Sequence, residues 1–206
     1  MANALVYIVD DDPSVRKAIT RMFKSLGMRV ASFATAREFM DSEREDVPGC
    51  LILDVQMPDQ TGIELQEELV ARDVDLPIVF LTGHGSIPMT VQAMRTGAVD
   101  FLTKPLDQQQ LIATVCQAIE RHAQQQTTSA ALREFRQRVD LLSKREYQIM
   151  TLAVGGMLNK QIARRLGITE HTVKVHRGRV MNKTGASSIA ELARLCERAG
   201  IVALEQ

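Results

Sequence analysis

Tryptophan is absent from this 206-residue chain, aromatic residues make up 4% of it, and cysteines number three. Those three, Cys50, Cys116 and Cys196, stand far apart and lack metal-ligand spacing. The spacing gives no sign of a cysteine-built metal centre, and buried, inert thiols are expected. No apolar run approaches the roughly 20 residues that a membrane helix needs, and Met1-Ala2-Asn3 has no signal-peptide character. A cytoplasmic protein without a membrane partner is expected. Net charge is missing too, with 25 Lys+Arg against 25 Asp+Glu. What remains, 45% hydrophobic and 24% charged, is ordinary globular composition, with length for one or two domains.

The zero net charge conceals an asymmetry. Residues 1–121 hold 11 Lys+Arg against 18 Asp+Glu, a net charge of −7, whereas residues 122–206 hold 14 against 7, a net charge of +7. An acidic half joined to a basic half often marks a nucleic-acid-binding end, although random surface placement gives the same count at times.

Short apolar runs in the first half end on reactive side chains. Ala4 to Val9 leads into Asp10, Asp11 and Asp12; Cys50 to Leu53 ends on Asp54; Ile78 to Leu81 ends on Thr82; Val99 to Thr103 ends on Lys104, followed by Pro105. Runs of this length between helical patterns read as strands buried on both faces of a parallel sheet. A further strand is expected at residues 28–33. Helices are expected after Pro13 up to the stop at Gly27, and over 35–45, 61–72, 86–96 and 106–121. Five strands alternating with five helices give a doubly wound, flavodoxin-like α/β domain over residues 1–121.

In such sheets ligands bind beyond the carboxyl ends of the strands. Asp10, Asp11 and Asp54 would repel one another in a partly desolvated cleft, so the cluster requires protons, a paired cation or a hard divalent metal such as Mg²⁺. Lys104 could contact a phosphoryl oxygen, Thr82 offers a hydroxyl, and one carboxylate could become an acyl phosphate. Singly, each has a blander reading: a strand-end Asp is more often a cap, a Thr a local hydrogen bonder, a Lys a solvated cation. Their joint placement at matching strand ends argues otherwise.

These residues carry a resemblance. Asp10-Asp11, Asp54 through Gly62, Leu81-Thr82-Gly83 and Phe101 through Pro105 stand in the order and spacing of the receiver domain of two-component response regulators. The resemblance implies Asp54 as phosphoacceptor and Asp10, Asp11, Asp54 and the backbone carbonyl of Gln56 as Mg²⁺ ligands. It implies Thr82 and Lys104 as phosphoryl-binding groups and Phe101 in the place of an aromatic switch, without the hydroxyl of the tyrosine often found there. A sensor histidine kinase would be the phosphodonor. The domain would perform only its own phosphorylation and dephosphorylation, and so would be no enzyme in the usual sense.

Residues 122–139 are polar at their start and of low complexity, and a partly helical linker is expected there. From residue 140 to 206 short helices follow, expected at 143–154, 159–166, 170–183 and 188–198. Gln161 through Lys174 has helix-turn-helix grammar: Ala163 is small at a helix crossing, Gly167 turns, Ile168 anchors the turn, and Thr169 caps the next helix. Residues 144–183 carry nine Lys/Arg against Glu146 and Glu170. Such a cationic helix can enter a major groove about 12 Å wide, although a merely solvated basic helix pair would show the same counts. His176 is expected to be a satisfied packing histidine and Glu146 an internal ion-pair or cap partner.

Leu142 through Glu146, Asn159 through Ala163 and Thr172 through His176 resemble the LuxR-type helix-turn-helix domain. With the receiver, nearly the whole chain resembles the NarL/FixJ response regulators, nearer the FixJ-like branch. The resemblance places Lys174, Val175 and Gly178 where base contacts are made, and makes Lys160, Thr172, Arg177 and Arg179 candidates for phosphate contacts. Gly178 departs from the pattern by offering no side chain, at a helix cost of roughly 1 kcal/mol relative to alanine. Ile189, Leu192, Leu195, Cys196 and Ala199 form a stripe that reads either as core or, by the resemblance, as the helix that pairs two copies on double-stranded DNA. A transcription regulator that dimerises on phosphorylation is the expected function, with RNA polymerase as a further partner to consider. Two rivals stand beside it. Asp10-x-Asp12-x-Ser14 also fits the nucleophile loop of haloacid-dehalogenase-like phosphatases, which need a further acidic pair after the lysine, where this chain has Asp107 and Glu120. An RNA-binding antiterminator carrying a receiver is the other.

Overall fold

The computed structural model describes residues 4–83 and 87–201, without the side chains of Ile87 and Pro88. The chain divides into two compact units, Met1–Gln126 and Thr127–Gln206.

The first unit is built on five parallel strands, β1 (Leu5–Val9), β2 (Arg29–Phe33), β3 (Gly49–Asp54), β4 (Ile78–Thr82) and β5 (Asp100–Thr103), in the order β2-β1-β3-β4-β5. Alternation of side chains across the pleat fills two cores at once. Tyr7, Val9, Leu51, Leu53 and Phe80 pack on one face. Val6, Ile8, Cys50, Ile52, Val79 and Leu81 pack on the other. Every residue of β1, β3 and β4 is buried, and truncating any of these large aliphatic side chains to alanine costs about 2–5 kcal/mol. The register pairs Val9 with Leu53, Asp54 with Leu81 and Thr82 with Thr103. The strands therefore end together, on the edge where the reactive side chains cluster.

The helices around the sheet are α1 (Pro13–Ser25), α2 (Ala36–Asp41), α3 (Gly62–Ala71), α4 (Ile87–Arg95) and α5 (Gln108–Asp140). α2 stops well before the expected residue 45. Ser42 is extended and turns its hydroxyl back onto the Phe39 carbonyl at 2.7 Å. Glu45 is drawn instead to Arg29 of β2 as an ion pair. The expected start of α4 at Ser86 lies outside the described residues. α5 begins at Gln108 rather than 106 because the Asp107 carboxylate accepts the N–H groups of Gln109 and Gln110 at 2.8 and 3.1 Å, the arrangement of an N-cap.

The larger difference concerns residues 122–139. Expected to be partly helical, they are helical throughout, as part of the 33-residue α5. Gln and Ala favour helix, and the stretch is anchored by buried side chains: His122 in the first unit, Phe135 and Val139 in the second.

The second unit continues with α6 (Lys144–Val154), α7 (Asn159–Leu166), α8 (Glu170–Thr184) and α9 (Ile189–Arg198). One small core joins Phe135 and Val139 to Met150, Val180, Leu192 and Cys196. A second joins Ile149, Leu152, Ile162, Ala163 and Val173. Ser143, Thr169 and Ser188 cap α6, α8 and α9 through their side chains. Residues 202–206 of the expected domain lie outside the described residues.

Candidate functional site

At the carboxyl edge of the sheet, β1 delivers Asp10 and Asp11, β3 delivers Asp54, β4 delivers Thr82, and the turn after β5 delivers Lys104. The Lys104 ammonium bridges the carboxylates of Asp10 and Asp54 at 2.8 and 3.0 Å. Asp10 also accepts the Asp12 N–H at 2.8 Å, and its carbonyl accepts the Arg16 guanidinium at 2.6 Å. Asp10 and Asp54 are buried and Asp11 is exposed, and one carboxylate oxygen from each lies within 4.8 Å of the others. Thr82 is fully buried, and its carbonyl accepts the Lys104 N–H at 2.7 Å. The Gln56 N–H points at the Asp54 carboxylate from 3.4 Å.

α3 presses close beneath Asp54. A Cβ at Gly62 would lie 2.3 Å from the Asp54 carbonyl oxygen, nearer than non-bonded atoms approach, so glycine is required for this approach. Phe101 is half-buried against one core, its ring 5.9 Å from that of Phe80. That is inward packing, which the missing hydroxyl does not prevent.

The charges are not settled by Lys104 alone. Burial pushes the Asp10 carboxyl above its ordinary pKa, against the opposing pull of Lys104 and the Asp12 N–H. Burial also works against the Lys104 ammonium, yet its two carboxylate partners outweigh burial and hold its pKa up. A pocket that leaves one carboxyl inclined to protonate and a second carboxylate exposed beside it is short of positive charge. Asp12 stands apart: its side chain caps α1 through the Ser14 N–H at 2.7 Å. Asp12 and Asp107 are thus both engaged as helix caps, which removes the second acid of the nucleophile loop and one of the two later acids from the phosphatase pattern.

In the second unit α7 and α8 form the helix-turn-helix. Gly167 ends α7 in the left-handed region at φ 64°, a conformation that favours glycine. The Ile168 N–H returns to the Ala163 carbonyl at 3.0 Å, with the Ile168 side chain against the core. Val173 and Val180 bury one face of α8, while Lys174, Val175, Gly178 and Arg179 are exposed. Thr172 is half-buried, and its hydroxyl meets that of Thr169 at 2.8 Å. Arg177 is half-buried and donates to the Asn159 side chain at 2.8 Å, and Lys160 is exposed one residue further along α7. Besides Arg177, further cations among the nine are engaged internally. Lys183 donates to Glu146 at 2.7 Å and Arg145 to the Leu166 carbonyl at 2.7 Å. Glu146 is the ion-pair and cap partner expected of it. Lys183 and the Ser143 N–H lower its pKa to about 2.

The matches to known proteins follow the same division. Residues 6–116 match the response regulator receiver domain, and residues 140–196 match the bacterial regulatory proteins of the luxR family. The chain belongs to the two-component response regulators. It is 44% identical over 200 residues to nodulation protein W of Bradyrhizobium diazoefficiens, covering 97% of this chain and 88% of that one. It is 40% identical over 196 residues to the transcriptional regulatory protein FixJ of Azorhizobium caulinodans, covering 95% and 93%. Among solved structures, the response regulator StyR matches with a TM-score of 0.84 at 43% identity over 96% of this chain and all of that one. Full-length FixJ from B. japonicum matches with a TM-score of 0.59 at 38% identity over 98% and 100%. This response regulator is a two-component transcriptional regulator, with a receiver that answers a histidine kinase and a LuxR-type domain that binds DNA. No helix among the described residues is long and apolar enough to cross a membrane.

The expectation of a satisfied His176 needs correction, and the α9 stripe is engaged within its own unit. Leu192, Cys196 and Ala199 are buried in the regulator's own helical core, with Ile189 and Leu195 packed against it. Within one chain the apolar stripe of α9 is packed as core, with Ile189 and Leu195 half-buried at its edge. His176 is not satisfied: its Nδ1 is buried without a hydrogen-bond partner among the described residues. His122, read from sequence as the first linker residue, is buried and accepts the Gly49 N–H at the start of β3 at 3.0 Å. Its signal is present in the chain, because Leu111, Val115, Ala118 and His122 continue one helical stripe.

Proposed function

We propose that Asp54 is the phosphoacceptor of this response regulator. The observation that carries the reading is the Lys104 ammonium shared between the Asp10 and Asp54 carboxylates, in a pocket short of positive charge. The Asp54 carboxylate attacks phosphorus of a phosphohistidine, a P–O bond forms as the P–N bond breaks, and the imidazole of the kinase leaves with the electron pair. Lys104 then shifts from Asp54 toward the new phosphoryl oxygens, with the Thr82 hydroxyl beside them. Attack of water on phosphorus later returns the free carboxylate and inorganic phosphate.

Asp10, Asp11 and Asp54 would hold Mg²⁺, a hard cation that takes oxygen ligands. Three carboxylates gathered at one sheet edge, with too little positive charge beside them, suit such a cation, and the Gln56 carbonyl would be a further ligand. When bound, Mg²⁺ neutralises charge on the phosphoryl oxygens.

Phosphorylation then shifts a conformational population in which Phe101 is the switch ring. The phosphorylated form dimerises and binds double-stranded DNA through Lys160, Thr172, Lys174, Val175, Arg177, Gly178 and Arg179, with RNA polymerase as a further contact. We propose a cytoplasmic location and no catalytic activity beyond the phosphorylation cycle itself. Size-exclusion and DNA-binding measurements with a small phosphodonor test this in the Asp54→Asn chain. The donor is expected to promote dimerisation and binding in the wild type and to do neither in the variant. A variant that still responds overturns the assignment.

A further inference from the structure

The outward side of α8 has a gap. Lys174, Val175, Gly178 and Asn182 succeed one another at helical spacing and are all exposed, whereas Val173, Val180 and Thr184 face inward. At Gly178 this ridge carries no side chain. Nothing in the fold requires that. A Cβ built at Gly178 meets no atom within 4 Å, and Gly178 is not among the glycines with positive φ. Gly167 and Gly185, by contrast, end α7 and α8 in the left-handed region at φ 64° and 74°. A glycine inside an exposed helix weakens it relative to alanine, so the residue at 178 carries a folding cost without a folding reason.

A missing side chain on the groove-facing side of a recognition helix makes room for something on the nucleic acid. The wall of the notch one turn toward the amino terminus is Val175, an apolar side chain left 40% exposed. Among major-groove groups, the thymine C5-methyl is the apolar one, and it is read by apolar contact. We propose that Gly178 is a specificity-determining notch that admits a thymine methyl of the operator against Val175. This rests on the reading of α8 as the groove helix.

The two methyl groups, one added on the protein and one removed from the DNA, give the test. The probe is the duplex enriched from random DNA by the wild-type full chain, compared with a duplex of scrambled sequence. Gly178→Ala is expected to raise the melting temperature of the helical unit by about 4–8 °C. It is also expected to lower the ratio of specific to scrambled binding at least about tenfold. Replacing one thymine of the probe by deoxyuridine, which lacks the methyl, is expected to restore most of that loss in Gly178→Ala while weakening wild-type binding. Lys174→Ala separates the two claims. If it loses binding while Gly178→Ala keeps its full ratio, α8 is the groove helix and the notch is refuted. If neither variant loses binding, the reading of α8 fails and the notch with it. A tenfold loss that no single deoxyuridine restores refutes the methyl as the occupant.

Discussion

Replacing Lys104 by methionine removes one charge at nearly constant length from the centre of the acidic site. The ammonium has 22% of its side chain exposed, while the carboxylate side chains it bridges, Asp10 and Asp54, are 1% and 8% exposed. With carboxylate oxygens within 4.8 Å, two ionised carboxylates repel by about 3–4 kcal/mol at an effective dielectric near 20. Removing one partner of a buried pair costs about 3–5 kcal/mol, and the partial exposure of Lys104 puts this case at the low end, near 3 kcal/mol. The loss is expected in chelator-treated protein, read as a lowered urea midpoint of the receiver unit by ellipticity. Saturating Mg²⁺ is expected to recover about 2–3 kcal/mol, as a ligand at 100 times its dissociation constant does, and to stabilise the wild type less. Acid is expected to help the variant as well. Asp10 already has a raised pKa, and a carboxyl raised in the folded state destabilises while ionised and regains stability as pH falls through its folded pKa. The variant should therefore recover stability as pH falls through the raised pKa of its Asp10 carboxyl. A Lys104→Met chain as stable as wild type in chelator, or indifferent to both Mg²⁺ and acid, would refute the view that Lys104 offsets a charge-deficient pocket.

Three further outcomes are expected. Glu146 is held down to about 2 from 4.5, so it adds stability above its unfolded pKa that is lost as pH falls through that window; an acid titration of the helical unit should show this loss in wild type and a flatter profile in Glu146→Gln. Gly62→Ala places a Cβ 2.3 Å from the Asp54 carbonyl oxygen, which should cost about 1–3 kcal/mol and slow phosphorylation of Asp54; an unchanged denaturation midpoint and rate would show that α3 can retreat freely. Neutralising about five DNA phosphates per protomer should give a slope of log affinity against log salt near −4 to −5, and a salt-independent affinity would refute contact by the α7 and α8 cations.

Much of the fold and of the acidic site is legible in the amino-acid sequence, for a physical reason. Strands buried on both faces are written as continuous apolar runs, so Leu51 through Leu53 and Ile78 through Leu81 announce themselves, and the next residue in each case is a site residue at the sheet edge. Gly167, Thr169 and Ser188 are legible as punctuation because turns and caps demand particular residue types. The end of α2 is not: Ser42 turns extended and bonds back to the Phe39 carbonyl, and beyond it Glu45 pairs with Arg29 of β2, 16 residues away in sequence. Lys183 reads as a surface cation because its partner Glu146 lies on another helix, 37 residues away. The α9 stripe is ambiguous in principle: an apolar face looks the same in sequence whether its own domain or a second copy covers it. The helical continuity of residues 122–139 is obscured by Thr127-Thr128-Ser129, weak helix formers held within a helix whose buried anchors, His122 and Phe135, lie to either side.

The most direct measurement is peptide mapping by mass spectrometry after incubation with Mg²⁺ and a small phosphodonor or a partner kinase. The expected product is a single base-labile phosphoryl group on the peptide carrying Asp54, formed in wild type, reduced in Lys104→Met, and dependent on Mg²⁺. A stable adduct on Asp10, on Asp11 or on a hydroxyl, or no adduct at all, would contradict the role given to the end of β3.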